Sequence, residues 1–413
     1  MQSWQIIVSG FIIQLTFVGI HFSFGVFLKP VAEAFGWSRG PTSFAYTLMW
    51  WMASSSGILL GWLSDRVGAR KVLVGGALIF SLGIFLSTTI QHLWQFYLYF
   101  GIIGGLGRAA AGAPFFAAVV PLVAKNKGLA LSIILAGTSM GTMVFPPFAR
   151  YLISVSDWQT AFYTLAITAV AIIVPAAVFL KGPEQAAPQP RLNPAVLPAG
   201  PHPQEGILPL PAGDWNTTNV LKNRYFWTLV VMGLACCSSH SLPLAHIVAF
   251  ASDQGIDKLQ AASLLGLLGF TGLLGRLIWG VVSDRMGARS TLFCCILLQT
   301  IMLFWLSGAE SLLSFYVLVS LFGLVYGGVL PLYPLVVREM FGLNRFGTVY
   351  GLQSVGTGFG MGAGGILGGF LFDAFGRYSP AFIISGAIGT VAIACAASLV
   401  FIQKKPQLAK TAK

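Results

Sequence analysis

Twelve apolar runs, each close to the ~20 residues an α-helix needs to cross a bilayer, leave this 413-residue chain little choice of architecture. They fall at roughly 6–28, 43–63, 72–90, 95–121, 128–150, 160–180, 225–250, 261–282, 291–307, 312–337, 347–371 and 381–402. Only 9% of the residues are charged and 56% are apolar, against about 25% charged in soluble domains. Such a chain cannot clothe a soluble surface, so much of its surface faces lipid. The expected fold is an all-α membrane protein of twelve transmembrane helices. The net charge of +12 would suggest nucleic acid in a soluble protein; here the placement of the charges decides, and no nucleic-acid partner is expected.

The runs divide six and six around Lys181–Lys222, a stretch holding nine of the 21 prolines. It has little apolar periodicity and reads as a flexible linker. The expected organisation is an N-terminal six-helix bundle (1–180), a cytoplasmic linker (181–224) and a C-terminal bundle (225–413). The first run is too long for a signal-peptide core and lacks a basic flank, so it reads as a retained helix. With the N-terminus inside, 17 of 24 basic residues lie on the cytoplasmic side and five outside: Lys29, Arg39, Arg150, Lys258 and Arg377. Two more, Arg108 and Arg276, fall within spans. The positive-inside rule therefore puts both termini in the cytoplasm. The five cysteines lie in apolar runs with no disulfide or zinc spacing.

An internal repeat relates the halves. Gly61-Trp-Leu-Ser-Asp65-Arg66-Val-Gly68-Ala-Arg70 recurs 219 residues later as Gly280-Val-Val-Ser-Asp284-Arg285-Met-Gly287-Ala-Arg289. The same offset links His21 to His240 and Gly128 to Gly347. Repeats of this kind mark secondary transporters, whose substrate site lies near midplane between the halves. The Gly-x-x-x-Asp-Arg-x-Gly-x-Arg loop after the second span, echoed after the eighth, resembles the signature of the major facilitator superfamily. Within it the chain resembles the monocarboxylate transporters and the bacterial oxalate:formate antiporters. Leu129-Ala130 through Ala136-Gly137-Thr-Ser-Met-Gly141 in the fifth span is similar to a monocarboxylate-transporter motif, with Ser132 in place of its first Gly. Gly269-Phe-Thr-Gly272-Leu-Leu-Gly275-Arg276 carries the arginine that both groups keep for substrate. The resemblance implies two pseudo-symmetric six-helix bundles around that arginine. Three features depart from it. The start of the first span, Met-Gln-Ser-Trp, lacks the acidic-aromatic signature. Gly272 stands where animal monocarboxylate transporters have an Asp. Thr357 stands where the oxalate antiporter has a Lys, which argues against oxalate.

Ionisable groups inside a membrane are costly and mark substrate paths. Arg276 lies eight residues before Asp284, ~12 Å along its helix, and Arg108 lies ~21 Å from the external end of its own. The two depths agree, and all twelve acidic residues fall at span ends or in loops. Two arginines without a buried acidic partner suit an anion, since a guanidinium stays charged and grips a carboxylate through two parallel bonds. The bland alternatives are backbone carbonyls for Arg276 and helix packing for Arg108. Tyr326, level with Arg108, is a candidate to complete the carboxylate shell. His21 and His240 are further substrate-binding candidates, and His21, His240 and His246 are the proton-coupling candidates, imidazole titrating near neutrality; satisfied buried histidines are the alternative. Asp65, Arg66, Arg70, Asp284, Arg285 and Arg289 are the candidate cytoplasmic gate, topology being the plainer role for the basic ones. Ten glycines between Gly347 and Gly369 permit close helix contact.

No nucleophile or metal constellation points to an enzyme, and no cofactor is expected. A receptor derived from a transporter is a third possibility. The expected activity is secondary active transport of a small monocarboxylate, lactate or pyruvate in kind, in symport with a proton by a rocker-switch cycle. The alternative is an organic-anion exchanger. The expected location is the plasma membrane (a bacterial inner membrane), and a monomer is expected.

Overall fold

The computed structural model describes residues 2–119, 127–180, 217–341 and 346–401, and helix is the regular structure found among them. The spans are α1 (Gln2–Phe22 and Phe24–Phe35, broken at Ser23), α2 (Arg39–Val67), α3 (Ala69–Leu86), α4 (segments between Leu93 and Val119), α5 (Lys127–Val155) and α6 (Trp158–Phe179). They continue as α7 (Arg224–Asp253), α8 (Lys258–Met286), α9 (Ala288–Leu306), α10 (Leu312–Phe341), α11 (Phe346–Phe375) and α12 (Ser379–Phe401). The twelve expected spans are all present. Nine described helices are long and apolar enough to cross a membrane. Of the other three, α2 is made more polar by Ser and Thr, and α4 is wound in pieces.

Helices overrun the apolar runs because hydrophobicity marks only the lipid-filled middle. The 29 residues of α2 are ~44 Å long against a hydrocarbon core of ~30 Å. Large apolar side chains point outward, as Leu277 (63% exposed) and Val281 (55%) do on α8; such a face is stable against lipid. Two expectations are corrected. The fourth run is not one regular helix, since Tyr97–Gly104 winds as a π-helix and Ala109–Ala111 as a 3₁₀ turn. Its glycines bring the backbone so close to α3 that a Cβ on Gly107 would collide with the backbone of Phe80. The linker assigned to 181–224 lies outside the described residues as far as 216, but its end is a short helix, Thr217–Lys222. The prolines stop at Pro211, and Val220 is buried in the core of the second half.

The repeat has a backbone cause. Gly68 (φ 95°, ψ 130°) and Gly287 (φ 80°, ψ 153°) are the single residues joining α2 to α3 and α8 to α9. That conformation belongs essentially to glycine.

α1 packs on α5 and α6, and α3 on α6; in the second half α7 packs on α11 and α12, α8 on α10, and α9 on α10 and α12. The two sets meet along α2–α11, α5–α8 and α1–α7. The α11 glycines divide between two neighbours. Gly356, Gly360 and Gly364 lie against Val230, Leu234 and Ser238 of α7, while Gly358, Gly362, Gly365 and Gly369 lie against Ser54, Trp51, Tyr46 and Arg39 of α2. Helical spacing puts each set on one face, and missing side chains let both helices approach closely.

Candidate functional site

Arg108 and Arg276 come from α4 and α8, one in each set of spans. Both lie within electrostatic range of Tyr326 of α10. Each arginine is half-buried, and the Nε of each is buried without a hydrogen-bond partner. No ion pair among the described residues joins a carboxylate to either one.

Their surroundings differ. Arg276 Nη1 donates to the Leu135 carbonyl (2.7 Å) and to Thr138 Oγ1 (2.6 Å). Both acceptors are on α5, so this arginine partly takes the backbone-carbonyl role that was its alternative. Arg108 instead lies over the Trp50 indole, 4.3 Å from the ring centroid, in cation–π contact. Around the same indole stands His21, its ring 4.8 Å away and perpendicular, itself stacked on Tyr46 at 5.1 Å. His21 Nε2 is, like Arg108 Nε, buried without a partner, while the Tyr46 hydroxyl lies within hydrogen-bonding reach of Trp50 and Ser241. The cost of an unmet buried polar group is ~1–3 kcal/mol, and His21 Nε2 and Arg108 Nε belong to side chains packed on the same indole.

The other two histidines are fully engaged. His240 contacts Met361 Sδ through Nε2 (3.1 Å) and Cys236 Sγ through Nδ1 (3.9 Å), with Tyr326 edge-on at 5.0 Å. His246 Nε2–H donates to the Gly365 carbonyl (2.7 Å), and Nδ1 meets the Tyr378 hydroxyl (3.1 Å).

His246 lies beneath a cluster that pins the two sets of spans together at the face carrying Arg39. Asp253, at the end of α7, accepts from Lys29 Nζ (2.9 Å) and from both terminal nitrogens of Arg39, the Nη2 contact at 2.9 Å. The Arg39 guanidinium also lies over Phe372, 3.7 Å from its centroid. Asp373 of α11 accepts from the backbone N–H of Arg39 (2.9 Å) and Gly40 (2.6 Å). Ser38, at the N-cap of α2, makes no side-chain cap bond, so α2 takes its cap from the other set of spans. Thr47 Oγ1 to the Gly362 carbonyl (2.7 Å) and Trp51 Nε1 to the Phe359 carbonyl (3.2 Å) continue this seam inward. On the same face, Asp257 caps α8 through the N–H of Leu259 and Gln260. Those backbone bonds, Gln260's foremost, hold its carboxyl below the ordinary range.

At the opposite face the set Asp65, Arg66, Arg70, Asp284, Arg285 and Arg289 is not assembled among the described residues. Arg66 lies over Trp62 at 3.9 Å, Arg289 pairs with Glu339 at 3.4 Å, and Asp284 and Arg285 are exposed. The Asp65 side chain lies outside the described residues.

Sequence reading did not single out Tyr46, Trp50, Thr138, Asp253 or Asp373. The aromatic pair had one available signal, its one-turn spacing on a helix that also carries buried polar residues. The two aspartates had theirs in Lys29 and Arg39, basic residues at helix ends on the basic-poor face.

The Major Facilitator Superfamily sequence model matches residues 10–272 and 238–413. The chain belongs to that superfamily and is a multi-pass membrane transporter. It is 24% identical over 387 residues to monocarboxylate transporter 13 of Bos taurus, covering 93% of this chain and 86% of that protein. Monocarboxylate transporter 2 of Homo sapiens is 22% identical, with 91% and 82% covered. The uncharacterized MFS-type transporter YcxA of Bacillus subtilis is 25% identical, with 85% and 84% covered. Among solved structures, a point mutant of nucleoside transporter NupG superposes with a TM-score of 0.74 over 97% of this chain and 100% of that one, at 13% identity. That likeness establishes the fold alone.

Proposed function

We propose that this chain is a secondary active transporter of a small monocarboxylate, moving a proton with its substrate by rocker-switch alternating access. The observation that carries the reading is the pair Arg108 and Arg276. Both lie within electrostatic range of Tyr326, each has an unpartnered Nε, and neither has an acidic partner among the described residues. A carboxylate supplies what they lack. Monocarboxylate transporters among the relatives support the choice of anion.

In this reading the Arg39 face is external, both termini are cytoplasmic, and the protein works as a monomer in a plasma membrane, the inner membrane of a bacterium. The two six-helix bodies rock against each other, the second beginning at the short helix Thr217–Lys222. The state described is closed outside by Lys29, Arg39, Asp253 and Asp373. The candidate cytoplasmic set would assemble when the tilt reverses. His21, His240 and His246 were the proton candidates, and His246 is the one adjoining the external gate. Tyr378, Arg39 and Asp373 act on it, and it is reached when that gate opens.

The test is uptake of labelled lactate, pyruvate and oxalate into proteoliposomes, with and without an imposed pH gradient. Acid outside is expected to drive lactate accumulation. His246→Asn is expected to lose that drive and keep counterflow exchange, which needs no return of the empty carrier. Exchange that ignores pH in the wild type supports the exchanger, and transport of none of the three anions overturns the reading.

A further inference from the structure

His21 and His240 occupy repeat-related positions, and each directs one ring nitrogen at a methionine sulfur. His21 Nδ1 meets Met49 Sδ at 2.9 Å, and His240 Nε2 meets Met361 Sδ at 3.1 Å. A thioether has lone pairs and no proton, so it only accepts. The nitrogen facing it therefore carries the hydrogen, and the opposite nitrogen of the neutral ring is left with a lone pair. For His240 that lone pair, on Nδ1, faces the Cys236 thiol, which can donate. For His21 the lone pair is on Nε2, which has no partner although the residue is 0% exposed. Arg108 is the charged group within electrostatic range of it.

The cluster around Trp50 thus offers two kinds of valence. Arg108 Nε is a donor, suited to a carboxylate. His21 Nε2 is an acceptor, and a bare carboxylate has nothing to give it. Both the Arg108 guanidinium and the His21 ring lie within 5 Å of the same indole. We infer that the substrate is a 2-hydroxy monocarboxylate, its carboxylate held by Arg108 and its hydroxyl donating to His21 Nε2. Met49 is a positioning residue that fixes the tautomer. The inference rests on the monocarboxylate reading above and narrows it. A 2-oxo acid turns an acceptor oxygen toward the imidazole lone pair, and an unsubstituted acid leaves that lone pair unmet. A site built to hydrogen-bond a substrate hydroxyl discriminates strongly against the analogue lacking it.

The experiment is competition by lactate, propionate and pyruvate against labelled lactate counterflow in proteoliposomes of the full chain. Half-inhibition by lactate is expected at a concentration at least about tenfold below that of the other two, a factor of ten corresponding to ~1.4 kcal/mol. In His21→Phe the ratio is expected to fall toward one. Met49→Leu, which leaves the imidazole in place and frees its tautomer, is expected to lower the ratio in part. It carries the test, together with the wild-type ratio, should His21→Phe fail to reach the membrane. Histidine ¹⁵N spectra are expected to place the His21 proton on Nδ1 in the wild type and to lose that preference in Met49→Leu. Equal inhibition by the three acids overturns this inference and leaves the monocarboxylate reading standing. Inhibition by none of them overturns both.

Discussion

The two halves present related residues to the centre of the molecule with different partners. In the first half, His21 Nε2 and Arg108 Nε lie beside Trp50 without a hydrogen-bond partner. In the second, His240 has both ring nitrogens occupied, and Arg276 already holds Leu135 and Thr138 of α5. A repeat preserves positions but not wiring. On the proposed reading, Arg108 serves recognition, and Arg276 couples the substrate to α5 and so to the link between the halves. Arg108→Gln is the harshest way to break this comparison. A charged hydrogen bond is worth ~1.5–3 kcal/mol, and losing a two-point hold is expected to weaken substrate affinity about a hundredfold or more. Substrate-induced thermal stabilisation of the purified protein measures it; wild-type affinity in Arg108→Gln would move recognition out of the first half.

Arg276→Lys sharpens the same contrast. Lysine keeps the charge but loses the planar fork that reaches a carboxylate and α5 together. Transport is expected to fall severely, about one to two decades, with turnover losing more than binding, since one charged bond costs ~1.5–3 kcal/mol. Initial rates of uptake, set against binding at equal expression, separate the two terms. A loss confined to binding would give both arginines the same role.

At the loops the halves are alike, and there the expected effects are equal. Gly68→Ala and Gly287→Ala each force a Cβ into a backbone region open essentially to glycine, at ~1–3 kcal/mol. Both should lower the melting temperature by a few degrees. A large loss in one and none in the other would break the symmetry of the repeat.

The spans were legible in the sequence because lipid demands an unbroken apolar run, and the two arginines were legible because a charge inside such a run is rare. The Gly68/Gly287 repeat was legible as a motif; its cause, a one-residue turn with positive φ, lies in the backbone. Tyr46 and Trp50 were not, since aromatic residues are ordinary within a span and their polar edges show only once neighbours are placed. The uneven winding of α4 arises from backbone contact with α3, which glycine content permits without specifying. Asp253 and Asp373 looked peripheral because each finds its partners more than 200 residues away. Sequence reading placed a gate in the conspicuous loops of Asp65 and Asp284, but an alternating-access protein closes one face at a time, and here the pinned face is the other one.

That pinned face is where the smallest effects are expected, and they separate a lock from the recognition centre. Asp373 caps α2 from the opposite half, and a lost N-cap costs ~0.5–2 kcal/mol. Closure forms the cap and opening breaks it, so Asp373→Ala removes this amount from the closed state alone. The closed-to-open ratio then falls by about 2- to 30-fold, the same energy read as a population. Asp253 holds Lys29 and Arg39 with its side chain 24% exposed. Pairs that water reaches contribute ~0.2–1 kcal/mol each, and asparagine keeps an acceptor for both cations, so Asp253→Asn should shift the ratio by about a few-fold. The reporter is a cysteine at Thr47, buried under the gate, in a background whose native cysteines are serine. Labelling by a membrane-impermeant maleimide should quicken in the order wild type, Asp253→Asn, Asp373→Ala, with substrate affinity changing little. Unchanged labelling in both variants would reduce the cluster to loop packing. A fall in affinity as deep as that of Arg108→Gln would erase the distinction between the lock and the centre.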